Sequence, residues 1–80
     1  MTVTVLLFAS YADALGQRQI PLELPQGSTV AEAVRRVRGL AGAVQLPAEP
    51  IVAVNEEYAR ADRTLLSGDE MAIIPPVAGG

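Results

Sequence analysis

Apolar and polar positions alternate early in the chain and later shift to a helical period, and that change of rhythm sets the expected fold. Thr2 to Ala9 (TVTVLLFA) is β-branched and aliphatic, and reads as a first strand. Period-two alternation puts Val3, Val5 and Leu7 on one face, toward a core, and Thr4, Leu6 and Phe8 on the other. Tyr11 to Gly16 reads as a connection with a short helical turn. Gln19 to Leu24 alternates again, with Ile20, Leu22 and Leu24 inward. Pro21 cannot donate to a ladder, so this strand belongs at a sheet edge or turns that position outward.

The rhythm then lengthens. Pro25-Gln26-Gly27-Ser28 is a turn, and Thr29 followed by Glu32 fits a capping box at the start of a helix. Val30, Ala33, Val34 and Val37 recur at helical spacing as one apolar stripe, with Gly39 as the stop. Leu40 to Pro50 is a longer connection with two prolines. Ile51 to Val54 is a short strand, and Asn55-Glu56 a tight turn into a brief strand around Tyr58. Leu65 and Leu66 are expected to plug the core from a loop. Ser67-Gly68-Asp69 forms another turn, with Asp69 and Glu70 on a solvated surface, before a last strand from Met71 to Ile74.

This order predicts an α+β chain of the β-grasp (ubiquitin-like) type, a mixed sheet curled around one main helix. The first and last strands become central parallel neighbours, joined by a right-handed route through the helix. A ferredoxin-like fold wants a second helix of comparable length, which the pattern lacks. Residues 1–74 then form the domain and 75–80 an extended tail.

Composition narrows the chemistry. Eighty residues hold one small domain with a modest core, and 50% apolar content is somewhat rich for it, which slightly favours an aliphatic surface that a partner covers. The chain has no Cys and no His, and all six basic residues are Arg. Thiolate nucleophiles, disulfides, imidazole bases, lysine Schiff bases and the usual soft metal ligands are therefore excluded, and no metal site is expected. Conventional catalysis by this chain alone is not expected. A net charge of −3 disfavours a nucleic-acid partner, and Arg35, Arg36 and Arg38 read as a solvated helix face. No run approaches the roughly 18 apolar residues of a membrane span, and Met1 opens directly into a strand-like run; a cytoplasmic protein without membrane contact is expected.

The chemistry-bearing candidate is the end, Pro75-Pro76-Val77-Ala78-Gly79-Gly80. Read from the residues alone it is either a frayed terminus or a reactive carboxylate. Gly79 and Gly80 lack Cβ atoms and could thread a narrow channel. Pro75 and Pro76 either stop the strand or hold the tail extended, and Val77 and Ala78 bring no charge to desolvate. Phe8 and Ile74 fall on the face away from the inward set. They form either an apolar patch beside the tail or, for Phe8, ordinary core. Arg60 and Arg63 have no distinguishing support as contacts.

Together, VTVLLFA, STVAEAV, AVNEEY, SGDE and IIPPVAGG resemble, in order and over nearly the whole chain, the family of small sulfur-carrying subunits of molybdopterin synthase. Individually these pieces are weak, but SGDE, one short strand, PPVxGG and an immediate stop form a specific combination. The family often has aromatic residues before the double proline, where Ile73 and Ile74 stand here; the site stays apolar and loses ring stacking.

The resemblance implies a function carried by the end of the chain. An ATP-dependent, E1-like adenylating partner would activate the Gly80 carboxylate, and a sulfur donor would convert it to a thiocarboxylate. Docked in the large synthase subunit through Phe8, Tyr58 and Ile74, it would deliver sulfur to cyclic pyranopterin monophosphate. Two such transfers build the molybdopterin dithiolene. ATP belongs to the partner, and no cofactor is expected to bind this chain tightly. The competing readings are a sulfur carrier for thiamine thiazole synthesis, a ubiquitin-like protein modifier, and an interaction module with an inert terminus.

Overall fold

The computed structural model describes residues 1–40 and 46–76 of the 80-residue chain. The elements are β1 (Thr2–Leu7), α1 (Ala9–Leu15), β2 (Gln19–Glu23), α2 (Val30–Arg38), β3 (Ile51–Val54), β4 (Glu57–Tyr58) and β5 (Glu70–Ile74). The strands form one sheet in the order β2-β1-β5-β3-β4. As the order of elements predicted, β1 and β5 are parallel central neighbours, with Val5 opposite Met71 and Leu7 opposite Ile73. All other pairings are antiparallel.

Sequence and packing agree closely on the inner face. Val3, Val5, Leu7, Ile20, Leu22, Met71 and Ile73 are buried, together with the α2 stripe Val30, Ala33, Val34 and Val37. Burying each of those three valines contributes roughly 1.5–3 kcal/mol against the entropy of ordering the helix. At the start of α2, the Thr29 hydroxyl oxygen accepts from the Glu32 amide at 3.3 Å. Only half of the expected capping box forms, because the Glu32 carboxylate lies 3.4 Å from the Thr29 hydroxyl instead of reaching back to the Thr29 amide. Gly39 ends α2 as expected, in a right-handed conformation.

Pro21 sits opposite Thr4 on β2, an edge strand. The ladder bonds fall on alternate residues: Leu24 donates to Met1 and Leu7 to Arg18. By that period the Pro21 nitrogen faces outward, where a missing N–H costs nothing and blocks strand addition.

The structure corrects three expectations. The first strand stops at Leu7, and the connection through Tyr11 is a helix of 7 residues, α1, which buries Tyr11 and ends in left-handed Gly16. Its apolar spacing is too short for periodicity to register. Leu65 plugs the core, but Leu66 is 67% exposed, because it opens the turn to Asp69, which bonds both its carbonyl and its amide. Asp69 is not a solvated turn residue: it is only 9% exposed and bonded on both sides.

Candidate functional site

The site begins with what fixes β5, the strand that leads into the tail. Val54 to Glu57 makes a tight turn with Asn55 and Glu56 both at positive φ (50° and 71°), a shape that asparagine tolerates. The turn holds the Asn55 side chain over the start of β5, where its Oδ1 accepts from the Glu70 amide at 3.0 Å. Its Nδ2 donates to Asp69 at 3.0 Å, and the Leu66 amide donates to the same carboxylate at 2.8 Å. Backbone bonds from Asn55 to Glu70 and from Thr4 to Asp69 close the latch. The Leu66 amide is the main reason that the Asp69 carboxyl is held below its usual range. Partial burial opposes it, and the Asn55 amide and the Arg63 charge add to it. The latch thus ties the β3–β4 hairpin to the root of β5 and sets the strand's register.

From that root β5 runs between β1 and β3 to Ile74, and Pro75 (half-buried) and Pro76 (exposed) follow outside any strand. Val77, Ala78, Gly79 and Gly80, the expected reactive segment, lie outside the described residues.

Beside this exit the outer sheet face is apolar. Phe8 is 48% exposed, in the extended residue that precedes α1, so ordinary core burial does not hold for it. The register that places Leu7 opposite Ile73 puts Phe8 next to half-buried Ile74. Ile51 lies opposite Ile74 and is 52% exposed. One row further from the tail, Leu6, Ala72 and Ala53 align across β1, β5 and β3, and Tyr58, 81% exposed, stands opposite Ala53 on β4. The three expected docking residues therefore share one face, with Phe8 and Ile74 adjacent and Tyr58 at its far edge.

Sequence reasoning missed Ile51. The run IVAV is apolar throughout, so alternation could not say which of its residues turns outward, and only pairing with β5 does. Leu6 was assigned to the correct face without a role. A small cavity of about 160 Å³ at the tail root is lined by Tyr11, Pro47, Ile51, Ile74 and Pro76 among others, continuing the apolar surface toward the exit.

No helix among the described residues is long and apolar enough to cross a membrane.

Known proteins share this arrangement. A model of the ThiS family matches residues 5–80. The molybdopterin synthase sulfur carrier subunit of Dictyostelium discoideum is 36% identical over 80 residues, covering 95% of this chain and 93% of that protein. The subunit of the same name from Arabidopsis thaliana is 33% identical over 79 residues, covering 98% of this chain and 82% of that protein. Among solved structures, SAMP1 from Haloferax volcanii, a small archaeal modifier protein, superposes with a TM-score of 0.86 at 28% identity, covering 100% of both chains. The sheet with its helices is thus a ubiquitin-like β-grasp, and the chain belongs to the ThiS family, with molybdopterin synthase sulfur carrier subunits among its relatives.

Proposed function

We propose that this chain is the sulfur carrier subunit of a molybdopterin synthase and that the Gly80 carboxylate is its reactive group. The observation that carries the reading is the path of β5. A central strand, latched at its root, leads past an apolar face into Pro-Pro, with Gly-Gly next in sequence, on a chain without Cys, His or Lys. Near-full-length identity to named sulfur carrier subunits supports it.

In this mechanism the chain supplies an unhindered acyl group, and its partners supply the chemistry. A carboxylate is a poor acyl donor until activated. An adenylating enzyme transfers AMP from ATP to a Gly80 oxygen, releasing pyrophosphate. Sulfur at the oxidation level of sulfide, from a donor, adds at the carbonyl carbon and displaces AMP, leaving a thiocarboxylate. On the large synthase subunit that sulfur attacks a side-chain carbon of the pterin precursor and displaces an oxygen substituent, whose C–O bond breaks as the C–S bond forms, with no change of oxidation level. Water then cleaves the acyl–sulfur bond and restores the carboxylate. Residues 79 and 80 carry no Cβ to obstruct a channel, and prolines at 75 and 76 restrict the backbone to extended conformations there. Phe8, Ile74, Ile51 and Tyr58 give the large subunit an apolar surface to cover, which holds the sulfur at its target, where proximity contributes most. The chain presents the substrate, and the general acid and base groups belong to the large subunit. It acts where ATP is present, in the cytoplasm.

Intact mass of the full chain, after incubation with an adenylating enzyme, ATP and a sulfide source, should rise by the difference between sulfur and oxygen. No change, with the enzyme active on a known carrier, contradicts the reading. A second reading, protein modification, is favoured by the likeness to the archaeal modifier protein. It predicts conjugates in which Gly80 is joined to a lysine amine of another protein. Such conjugates without any thiocarboxylate would replace the first reading.

A further inference from the structure

On the flank away from the outer sheet face, α2 borders an open groove of about 580 Å³, within the range of roughly 300–1,000 Å³ usual for ligand clefts. Val34, Val52 and Ala59 contribute to its apolar lining, together with Arg35 and Arg38 of α2 and with Glu49 from the connection before β3. The three arginines of the last turn of α2 have different employments. Arg36 donates to the Glu23 carbonyl at 3.3 Å and is committed to β2. Among the described residues neither Arg35 nor Arg38 has a carboxylate within ion-pair distance, and both are exposed. Their spacing, i and i+3, places the two guanidiniums on one side of the helix.

A pair of guanidiniums beside an apolar wall suits a ligand with carboxylates at one edge and aliphatic groups at the other, since each fork can take a carboxylate bidentately. The chain as a whole carries a net charge of −3, so acidic partners are repelled elsewhere and steered to this flank. We propose that this groove seats an extended segment of a partner protein that alternates acidic and aliphatic residues. The groove lies on the side of the sheet opposite Phe8 and Tyr58 and meets the cavity at the tail root through Glu49 and Pro50, and the inference does not rest on the sulfur-carrier reading.

The test is a titration of the isotopically labelled full chain with a short amidated peptide of alternating glutamate and valine, followed by amide chemical shifts. Saturable shifts confined to α2, residues 48–52 and residues 59–61 are expected. A matching lysine–valine peptide should leave those signals in place. Arg35→Glu combined with Arg38→Glu should weaken binding by at least about tenfold, while Arg35→Lys with Arg38→Lys weakens it less, because charge is kept and the fork lost. Both positions are exposed, and an unchanged thermal midpoint of each double variant confirms folding. Absence of groove shifts at millimolar peptide, or equal response to the lysine peptide, overturns the proposal. So does an equal response to inorganic tripolyphosphate, which would make the seat one for bare anions. Shifts of the same residues on concentrating the chain alone, with a dimer in sedimentation, would assign the groove to a second copy instead.

Discussion

Replacing Asp69 with alanine removes the acceptor at the centre of the β5 latch and leaves two donors behind, the Leu66 amide at 2.8 Å and the Asn55 amide at 3.0 Å. A hydrogen bond to a charged group contributes about 1.5–3 kcal/mol. Leu66 is an exposed loop residue, so water can take over its amide, and the combined loss is about 2–3 kcal/mol, below the sum of the two maxima. A domain this size has only about 4–12 kcal/mol to lose. With an m-value near 1 kcal/mol/M, the urea midpoint should fall by about 2–3 M, and the thermal midpoint by about 10–20 °C.

The pH dependence gives the sharper check. The folded Asp69 carboxyl titrates below its ordinary value of 3.8, chiefly through the Leu66 amide. A depressed pKa stabilises the fold above the unfolded value, and that contribution is lost as pH falls through the folded one. The difference in stability between the native chain and Asp69→Ala should therefore be full at neutral pH and shrink below about pH 4. Asn55→Ala and the double variant complete a cycle, whose coupling should exceed about 0.5 kcal/mol because the two side chains share a bond. A loss at neutral pH under about 0.5 kcal/mol, or a gap that does not narrow in acid, would refute the latch.

Thr29→Ala should cost about 1 kcal/mol, read as a fall of about 4–8 °C in thermal midpoint, with Thr29→Asp restoring most of it through the same cap. Tyr58→Ala should change folding stability by less than about 0.5 kcal/mol, since that side chain is 81% exposed, and Ile51→Glu, at a half-buried position beside Ile74, by about 1 kcal/mol. Measured by calorimetry, Ile51→Glu should weaken binding to a large synthase subunit by at least about tenfold, because a charge would be desolvated at the centre of the apolar face. Deleting Gly80 should abolish sulfur loading by intact mass and leave the thermal midpoint unchanged; a large fall would show that the tail is structural.

What the sequence disclosed followed from how strongly each segment repeats. The alternation of Val3, Val5 and Leu7 and the helical spacing of Val30, Ala33, Val34 and Val37 each offer one burial solution, and the fold takes both. Pro21 and the turn residues Asn55-Glu56 declare their places through backbone chemistry that few other sites accept. Helix α1 stayed hidden because 7 residues with one buried tyrosine carry no readable period. Asp69 looked like any turn acid, since its partners, Leu66 and Asn55, meet it only after the hairpin folds over β5. The outer face was half legible: Phe8, Ile74 and Tyr58 came from alternation and resemblance, whereas Ile51 needed the cross-strand register that no local pattern contains.

In the proposed mechanism Gly80 presents sulfur to a pterin. Full-length chain bearing a C-terminal thiocarboxylate, mixed with a large synthase subunit and cyclic pyranopterin monophosphate, tests it most directly. Mass spectrometry follows the protein and the pterin together. The expected result is dithiolene on the pterin, with the chain returning to its carboxylate mass as sulfur is consumed and Gly80 intact. Retention of the thiocarboxylate with unchanged pterin, or sulfur delivery only to a thiazole synthase, would contradict it.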